Sequence, residues 1–312
     1  MQADQDWLES ARYTRHMTLI TSLTSTALLV PLALACSLTP VGDWSRDPAW
    51  FQGKAEWALY DAKRVIYGKE RTYEATIFTN TQLMNPATTT KSDQNVTDAI
   101  EVFKLNISEQ IPTENYVYRF LTTSFVNRSN LDLYKLTTST QEDCGSTYRH
   151  FVSDGNDVQY NQYNYFPGPG HLSGKLKEAD QLTFFNALPL TLRNFSFPKD
   201  GSTQPTMNVT LIADQTTTRS SDNKPQRATI TYNGRVRITV PIGTLWTHHL
   251  SLTLDDNTHQ QPIQFWMAED ARHVMVQYRN PDGTSYALKR LAWWAYWRDA
   301  QPPSNEDLLG HR

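Results

Sequence analysis

From residue 55 to about residue 155, and again from residue 206 to residue 296, the chain is dominated by a two-residue alternation of apolar and polar side chains. That period belongs to β-strands, in which successive side chains point to opposite faces. It starts in "AEWALYDAKRVIY", where Trp57, Leu59, Asp61, Lys63, Val65 and Tyr67 share one parity and Ala58, Tyr60, Ala62, Arg64 and Ile66 the other. The pattern predicts a long strand over 55–67, a turn over 68–70 and a second strand over 72–79. The alternation continues through "AIEVFKLNISEQI", "NYVYRFLTTSFVN" and "LDLYKLTTSTQEDCG", and "STYRHFV" opens the next strand after a turn assigned to Gly145. Connections this short exclude crossover helices and imply consecutive antiparallel strands.

The middle of the chain, 156–206, is less regular. "FPGPG" is a loop, because proline fixes φ and glycine supplies positive φ. The best helical candidate runs from Glu178 to Ala187 and is expected to stop before Pro189. Alternation then resumes, with "RNPDGTSY" as a hairpin whose tip is Pro281, Asp282 and Gly283. The expected fold is mainly β: a long curved antiparallel sheet or half-open barrel over residues 50–300, with one or two short helices near 178–190. A sheet bent this strongly would bury one face on itself and leave a concave apolar side.

The N-terminus bears on location. Residues 17–35, "MTLITSLTSTALLVPLALA", carry no charge, and Arg12 and Arg15 precede them. This is the layout of an export signal, ending in Ala33 and Ala35 at signal-peptidase spacing and followed at once by Cys36, where a lipoprotein signal places its lipidated cysteine. A cleaved soluble protein and an uncleaved anchor are the competing readings, since a spanning helix needs about 20 apolar residues. All three export the rest. The leading reading takes 1–35 as signal peptide, 36–49 as a tether, 50–300 as an extracytoplasmic domain held at a bacterial envelope membrane by lipid on Cys36, and 301–312 as a flexible tail.

An acylated Cys36 leaves Cys144, the second of two cysteines, without a disulfide partner, and a lone thiol in an oxidising compartment is usually buried. If Cys36 were unmodified, the two cysteines could pair instead. The words "WFQGKAEWALYDAKRVIYGK", "FKLN", "YVYRFLTTSF", "KLTTSTQEDCGSTYRHF" and "YNYF" resemble an uncharacterised family of bacterial secreted lipoproteins with a GKAE segment and a QE(W)CG segment. Asp143 stands where that family has an aromatic residue. Some members carry a label linking them to Maf septum-formation proteins, whose nucleotide chemistry needs a cytoplasmic α/β fold and does not transfer to this chain. The resemblance implies a location and a shape, without an activity.

Candidate chemistry is sparse. With 20% charged residues and a net charge of −3, no electrostatic footprint for nucleic acid is visible. Cys144 and His150 are the one thiol and imidazole close in sequence, but Glu142 and Asp143 place negative charge where a thiolate needs positive charge, which favours a structural cysteine. His248 and His249 point to opposite faces of a strand, and His171, His259 and His273 lie in other segments without a metal-ligand spacing, so neither a metal nor any other cofactor is expected. Glu56, Asp61, Glu142 and Asp143 are the candidate carboxylates. The candidate ligand contacts are Trp293, Trp294, Tyr296 and Trp297 in "LAWWAYW", read either as core or as an apolar groove or membrane-interface surface. The preferred reading is a non-enzymatic envelope lipoprotein that binds an apolar or amphiphilic ligand or a protein partner. The alternative is an extracytoplasmic hydrolase with a cleft containing Cys144 or acidic residues.

Overall fold

The computed structural model describes residues 41–304, except 93–95, 178, 180, 199–203, 218–222 and 258–260. The signal segment, Cys36, His259 and the tail beyond 304 lie outside the described residues. One sheet accounts for most of the rest. Its strands are β1 (Ala55–Ile66), β2 (Lys69–Asn85), β3 (Thr90–Lys91), β4 (Ile100–Pro112), β5 (Val117–Asn127), β6 (Leu133–Glu142), β7 (Gly145–Ser153) and β8 (Asp157–Asn164). They continue with β9 (His171–Lys177), β10 (Leu182–Phe184), β11 (Thr206–Ile212), β12 (Gln226–Val240), β13 (Gly243–Leu254), β14 (Ile263–Ala268), β15 (Met275–Arg279) and β16 (Ser285–Trp294).

The spatial order is β10-β11-β12-β13-β14-β15-β16-β1-β2-β4-β5-β6-β7-β8-β9, with β3 paired on β2. Neighbours in space are therefore neighbours in sequence, apart from β2 with β4, which passes over the two-residue β3, and the seam where β16 pairs with β1 and joins the two halves of the chain. Every pairing is antiparallel except β10 with β11. The sheet is not closed into a barrel: among the described residues β9 and β10 are its two edges. β10 has three residues and β9 carries Lys175 and Lys177, both features that discourage a foreign strand from adding on.

Strand alternation sorts side chains as the period predicts. On β1, Ala58, Tyr60 and Ala62 face the interior, while Asp61 and Lys63 are exposed. The turn after β1 is tighter than expected: Ile66 pairs with Lys69, and Tyr67 and Gly68 alone form it with φ of 52° and 72°. Two consecutive residues of positive φ make the hairpin turn whose twist matches that of the strands. The 281–283 tip also forms as expected, with Gly283 at φ 92° and its N–H on the Asn280 carbonyl at 3.0 Å.

The concave face does not stand open. Residues 182–197 cross it as a plug, with Leu188, Leu190, Leu192 and Phe195 buried. The plug reaches widely separated strands: Phe184 packs edge-on against Phe151 of β7 at 4.8 Å, Phe185 against Tyr278 of β15 at 5.9 Å, and Phe195 against Tyr232 of β12 at 6.4 Å. Among the described residues of 178–187 the expected helix does not form. Leu182–Phe184 is a strand, Phe185–Ala187 a 3-10 turn, and the one α-turn among the described residues, α1 (Leu188–Thr191), begins just past Ala187, where the expected helix ends. Pro189 sits in its first turn, where the missing N–H costs nothing.

The expected tether over 36–49 is also revised from Val41 onward. Two 3-10 turns, Asp43–Arg46 and Pro48–Phe51, bury Trp44 and Trp50, and Trp44 stacks on Phe103 at 5.0 Å. The Gly42 N–H donates to Asn194 Oδ1 of the plug at 2.7 Å. Two large indoles find more apolar contact in the core than in water, and they pull the segment in. The expected flexible tail begins docked as well, since Arg290 Nη2 donates to the Pro303 carbonyl at 2.8 Å.

The half-barrel thus has two ends. The entry end holds the start of β1, residues 41–51 and the loop after β16; the pocket end holds the β1–β2, β4–β5, β6–β7 and β15–β16 turns.

Candidate functional site

Hydrophobic alternation breaks at a few core-facing positions, where the sheet places charge inside. Arg64 lies in the inner row of β1 between Ala62 and Ile66, Glu109 in that of β4 between Ile107 and Ile111, and Asp214 follows β11. They converge at the pocket end around a cavity of about 50 Å³ lined also by Phe185, Asn186, Phe265, Met275, Tyr278 and Tyr286. Arg64 Nη1 stands 3.6 Å from Glu109 Oε2, and Nη2 stands 3.7 Å from Asp214 Oδ2. Both gaps exceed direct hydrogen-bond length. The same Nη2 donates to the Thr216 carbonyl at 2.9 Å, and the guanidinium lies 4.8 Å over the Phe120 ring.

The two carboxylates are oriented by fixed donors. Tyr73 and Tyr286 both donate to Glu109 Oε1, the latter at 2.8 Å. Asn186 Nδ2 donates to Asp214 Oδ1 at 2.7 Å and Thr216 Oγ1 to Oδ2 at 2.7 Å. A second guanidinium holds the same loop, since Arg149 of β7 donates to the carbonyls of Gln215 and Thr217 at 2.8 Å each. Burial works against the charge on Arg64, but Glu109 and Asp214 outweigh it and raise its pKa. The Tyr73 and Tyr286 phenols are pushed well up, first by burial and then by the Glu109 charge, so both stay protonated as donors. The result is a cavity with one polar wall and one aromatic wall, reached from solvent past the half-buried Asp214.

Beside this mouth lies a rim of hydroxyls. The Tyr67 hydroxyl bonds to that of Tyr116 at 2.9 Å and to that of Tyr118, and Cys144 Sγ approaches the Tyr116 hydroxyl at 3.9 Å and Glu142 Oε2 at 3.4 Å. Burial raises the Glu142 carboxyl despite its bonds to Cys144 and Tyr118. The cysteine of "QEDCG" is exposed, against the expectation of a buried thiol, because it occupies the two-residue turn between the paired Glu142 and Gly145. Gly145 does not supply that turn with a positive φ. It is glycine because the Tyr165 ring lies across it, 2.1 Å from where a Cβ would be.

His150 is not brought to Cys144. It sits on β7 opposite Thr137 and Asn161, five residues beyond Gly145 and so about 17 Å along the strand. Of the candidate carboxylates, Glu56 is buried between Arg193 and Arg272, Asp61 pairs with Lys289 on the outer face at 3.0 Å, and Asp143 shares the exposed turn. His248 faces inward against Phe197 at 4.2 Å, while His249 faces outward and stacks on Trp266 at 4.7 Å, as their adjacency predicts. Among the described residues no three His, Cys, Asp or Glu side chains are grouped to hold a metal ion.

The "LAWWAYW" residues are divided between two faces. Trp293 points inward, edge-on to Trp50 at 5.0 Å and under Arg272 at 5.4 Å. Trp294 and Tyr296 cover the outer face over Trp57 and Phe78 at 5.3 and 4.1 Å, and Trp297 is exposed. They do not line one groove.

No family model and no curated protein matches the chain. Among solved structures, a DUF1089 family protein from Pseudomonas aeruginosa is similar over 65% of this chain and 89% of that one, at 11% identity and a TM-score of 0.33. That likeness is too distant to bear on function.

Proposed function

We propose that this chain is an extracytoplasmic lipoprotein, held at a bacterial envelope membrane through Cys36, that binds a small amphiphilic ligand in the Arg64–Glu109–Asp214 cavity. The observation that carries the binding role is the cavity itself. It lies between sheet and plug with Arg64, Glu109 and Asp214 on one side and Phe265, Tyr278 and Phe185 on the other, the division an amphiphile requires. Both carboxylates already receive hydrogen bonds from fixed tyrosine, asparagine and threonine donors, which suits orienting a ligand better than exchanging protons with one. The gaps of 3.6 and 3.7 Å around Arg64 leave it able to meet a ligand oxygen.

The interior volume limits the ligand. A cavity of about 50 Å³ admits a head group or a short apolar end, so a longer ligand would emerge at the mouth beside Tyr67 and Tyr118. Gentle extraction of the protein from its native membrane followed by native mass spectrometry tests this. A discrete non-covalent adduct is expected, and Thr284→Phe, which fills the lining from a half-buried position, should abolish it while leaving the unfolding midpoint unchanged. An adduct that survives Thr284→Phe would place the ligand elsewhere.

A further inference from the structure

Exposed large apolar side chains at the entry end differ in kind from those at the pocket end. Phe51 and Trp297 are each 55% exposed, Trp246 42% and Leu83 37%. Phe51 precedes β1, Leu83 lies two residues before the end of β2, Trp246 three residues into β13, and Trp297 three residues past β16. By strand direction all four belong to the entry end. At the pocket end the exposed aromatics are tyrosines, Tyr67, Tyr148, Tyr163 and Tyr165.

Two of the four are physically joined. Arg128 covers the Phe51 ring at 5.1 Å and pairs with Glu101 at 2.8 Å, and Glu101 stands opposite Leu83 across the β2–β4 ladder. Trp297 rests edge-on against Tyr296 at 5.1 Å, which continues the outer-face aromatic layer. Arg235, paired with Glu269 at 2.7 Å, lies 3.8 Å over the exposed Trp246 ring, and Arg298, paired with Asp299 at 3.1 Å, follows Trp297 in the chain, so each guanidinium would exchange a surface carboxylate for a lipid phosphate. Tryptophan and phenylalanine with arginine beside them form the composition that settles at a bilayer interface, where rings sit among head groups and guanidiniums reach phosphate. The position of the chain adds a separate argument. Forty residues, including the uncharged run 17–35, precede Val41, and Val41 joins the domain at this same end.

We infer that the entry end is a lipid-docking surface, with Phe51, Leu83, Trp246 and Trp297 in the head-group region, and that the cavity opens away from the bilayer. This rests on the reading of Cys36 as the acylated residue. The separation follows from β1, whose twelve residues span the two ends: eleven steps of about 3.3 Å put the mouth up to about 36 Å from the lipid surface, less any tilt of the strand. A ligand would then be exchanged with the envelope space or with a facing membrane, and not with the membrane that anchors the protein.

The exposed Cys144 at the pocket end supplies the second measuring point. The full chain, purified from membranes and checked by intact mass for acylation, is reconstituted into phosphatidylcholine–phosphatidylglycerol vesicles with brominated acyl chains. Tryptophan emission should be quenched, and the double variant Trp246→Phe, Trp297→Phe should remove the larger part of that quenching. In the unmutated protein, a donor dye on Cys144, paired with a head-group acceptor whose Förster distance is well below that separation, should transfer only weakly. Near-complete transfer from Cys144 would overturn the orientation. Unquenched tryptophan in an acylated, vesicle-bound protein would overturn the docking surface while leaving the anchor standing, and if the protein then sediments as a dimer the patch belongs to a second copy. An unacylated mass, by contrast, removes the lipoprotein reading itself and this inference with it.

Discussion

Glu56→Gln tests how the plug is fastened to the sheet. Glu56 of β1 accepts from Arg193 of the plug, at 3.2 Å from Nη1 and again from Nη2, and from Arg272 Nη1 at 3.1 Å. All three residues are buried. Burial acts to raise the Glu56 carboxyl, but the Arg193 and Arg272 guanidiniums outweigh it and hold the pKa below its ordinary value. The amide leaves both guanidiniums without their shared counter-charge, with Asp270 the remaining acid 3.5 Å from Arg272. Removing one partner of a buried ion pair costs about 3–5 kcal/mol, a large part of a total stability of about 5–15 kcal/mol. With a urea m-value of about 2–3 kcal/mol/M, the midpoint should fall by about 1–2.5 M. Asp270→Asn is the matched control. Burial raises that carboxyl, so the fold disfavours its charge and its removal should cost under about 1 kcal/mol. Urea unfolding followed by tryptophan emission at pH 7 reads both. The sign with pH is set: Glu56 binds its proton less readily when folded, so its contribution is full above the unfolded pKa and disappears as pH falls through the folded one. The Glu56→Gln deficit should therefore shrink in acid. A Glu56→Gln midpoint equal to wild type, or an Asp270→Asn loss as large, would refute the reasoning.

Leu190, fully enclosed in the plug, should cost about 2–5 kcal/mol on truncation to alanine in the same urea assay, since the plug spans several strands and leaves little room to collapse. Cys144 should react completely with a small disulfide reagent in the folded protein, at a rate unchanged by denaturant, because its turn is exposed; protection until unfolding would contradict the geometry. His248 is pushed down to about 4 by burial and then by His273, so between the ordinary histidine range near 6.5 and that value the unfolded chain holds a proton that the folded one lacks. Stability measured by urea titration should therefore decline as pH falls through this interval, and His248→Phe should flatten the decline.

Much of the architecture was legible because the signal for it is long. A period of two sustained over the twelve residues of β1 or the thirteen of β4 sorts faces without help from tertiary structure, and short polar connections then fix antiparallel neighbours. Isolated residues misled. Pro189 reads as a helix stop and also as a helix start, and only the buried Leu188, Leu190 and Leu192 around it decide for the start. Gly145 reads as a turn residue, yet its lack of a side chain serves the close approach of Tyr165, a contact across twenty residues that no local pattern encodes. Trp293 and Trp294 read as one cluster because they are adjacent, and that adjacency on a strand is what sends them to opposite faces.

The candidate site left a fainter trace of a different kind. Arg64 and Glu109 are 45 positions apart, and Asp214 is a further 105 along, so no motif could join them. Each strand nevertheless carries an anomaly on its core-facing parity. Glu56 and Arg64 interrupt the row of Ala58, Tyr60 and Ala62, Glu109 interrupts Phe103, Leu105, Ile107 and Ile111, and Arg149 precedes Phe151 on the same face. A buried charge is expensive unless paired, so charged residues on the apolar parity of several strands require one another's company. They could be neutralised only by meeting inside the curled sheet. Here they do so in two places: Glu56 with Arg193 and Arg272, where the groups are closed on each other, and Arg64 with Glu109 and Asp214, where gaps of 3.6 and 3.7 Å and a cavity remain. The closed cluster is a strut and the open one a candidate site, and what separates them is the space left between the charges.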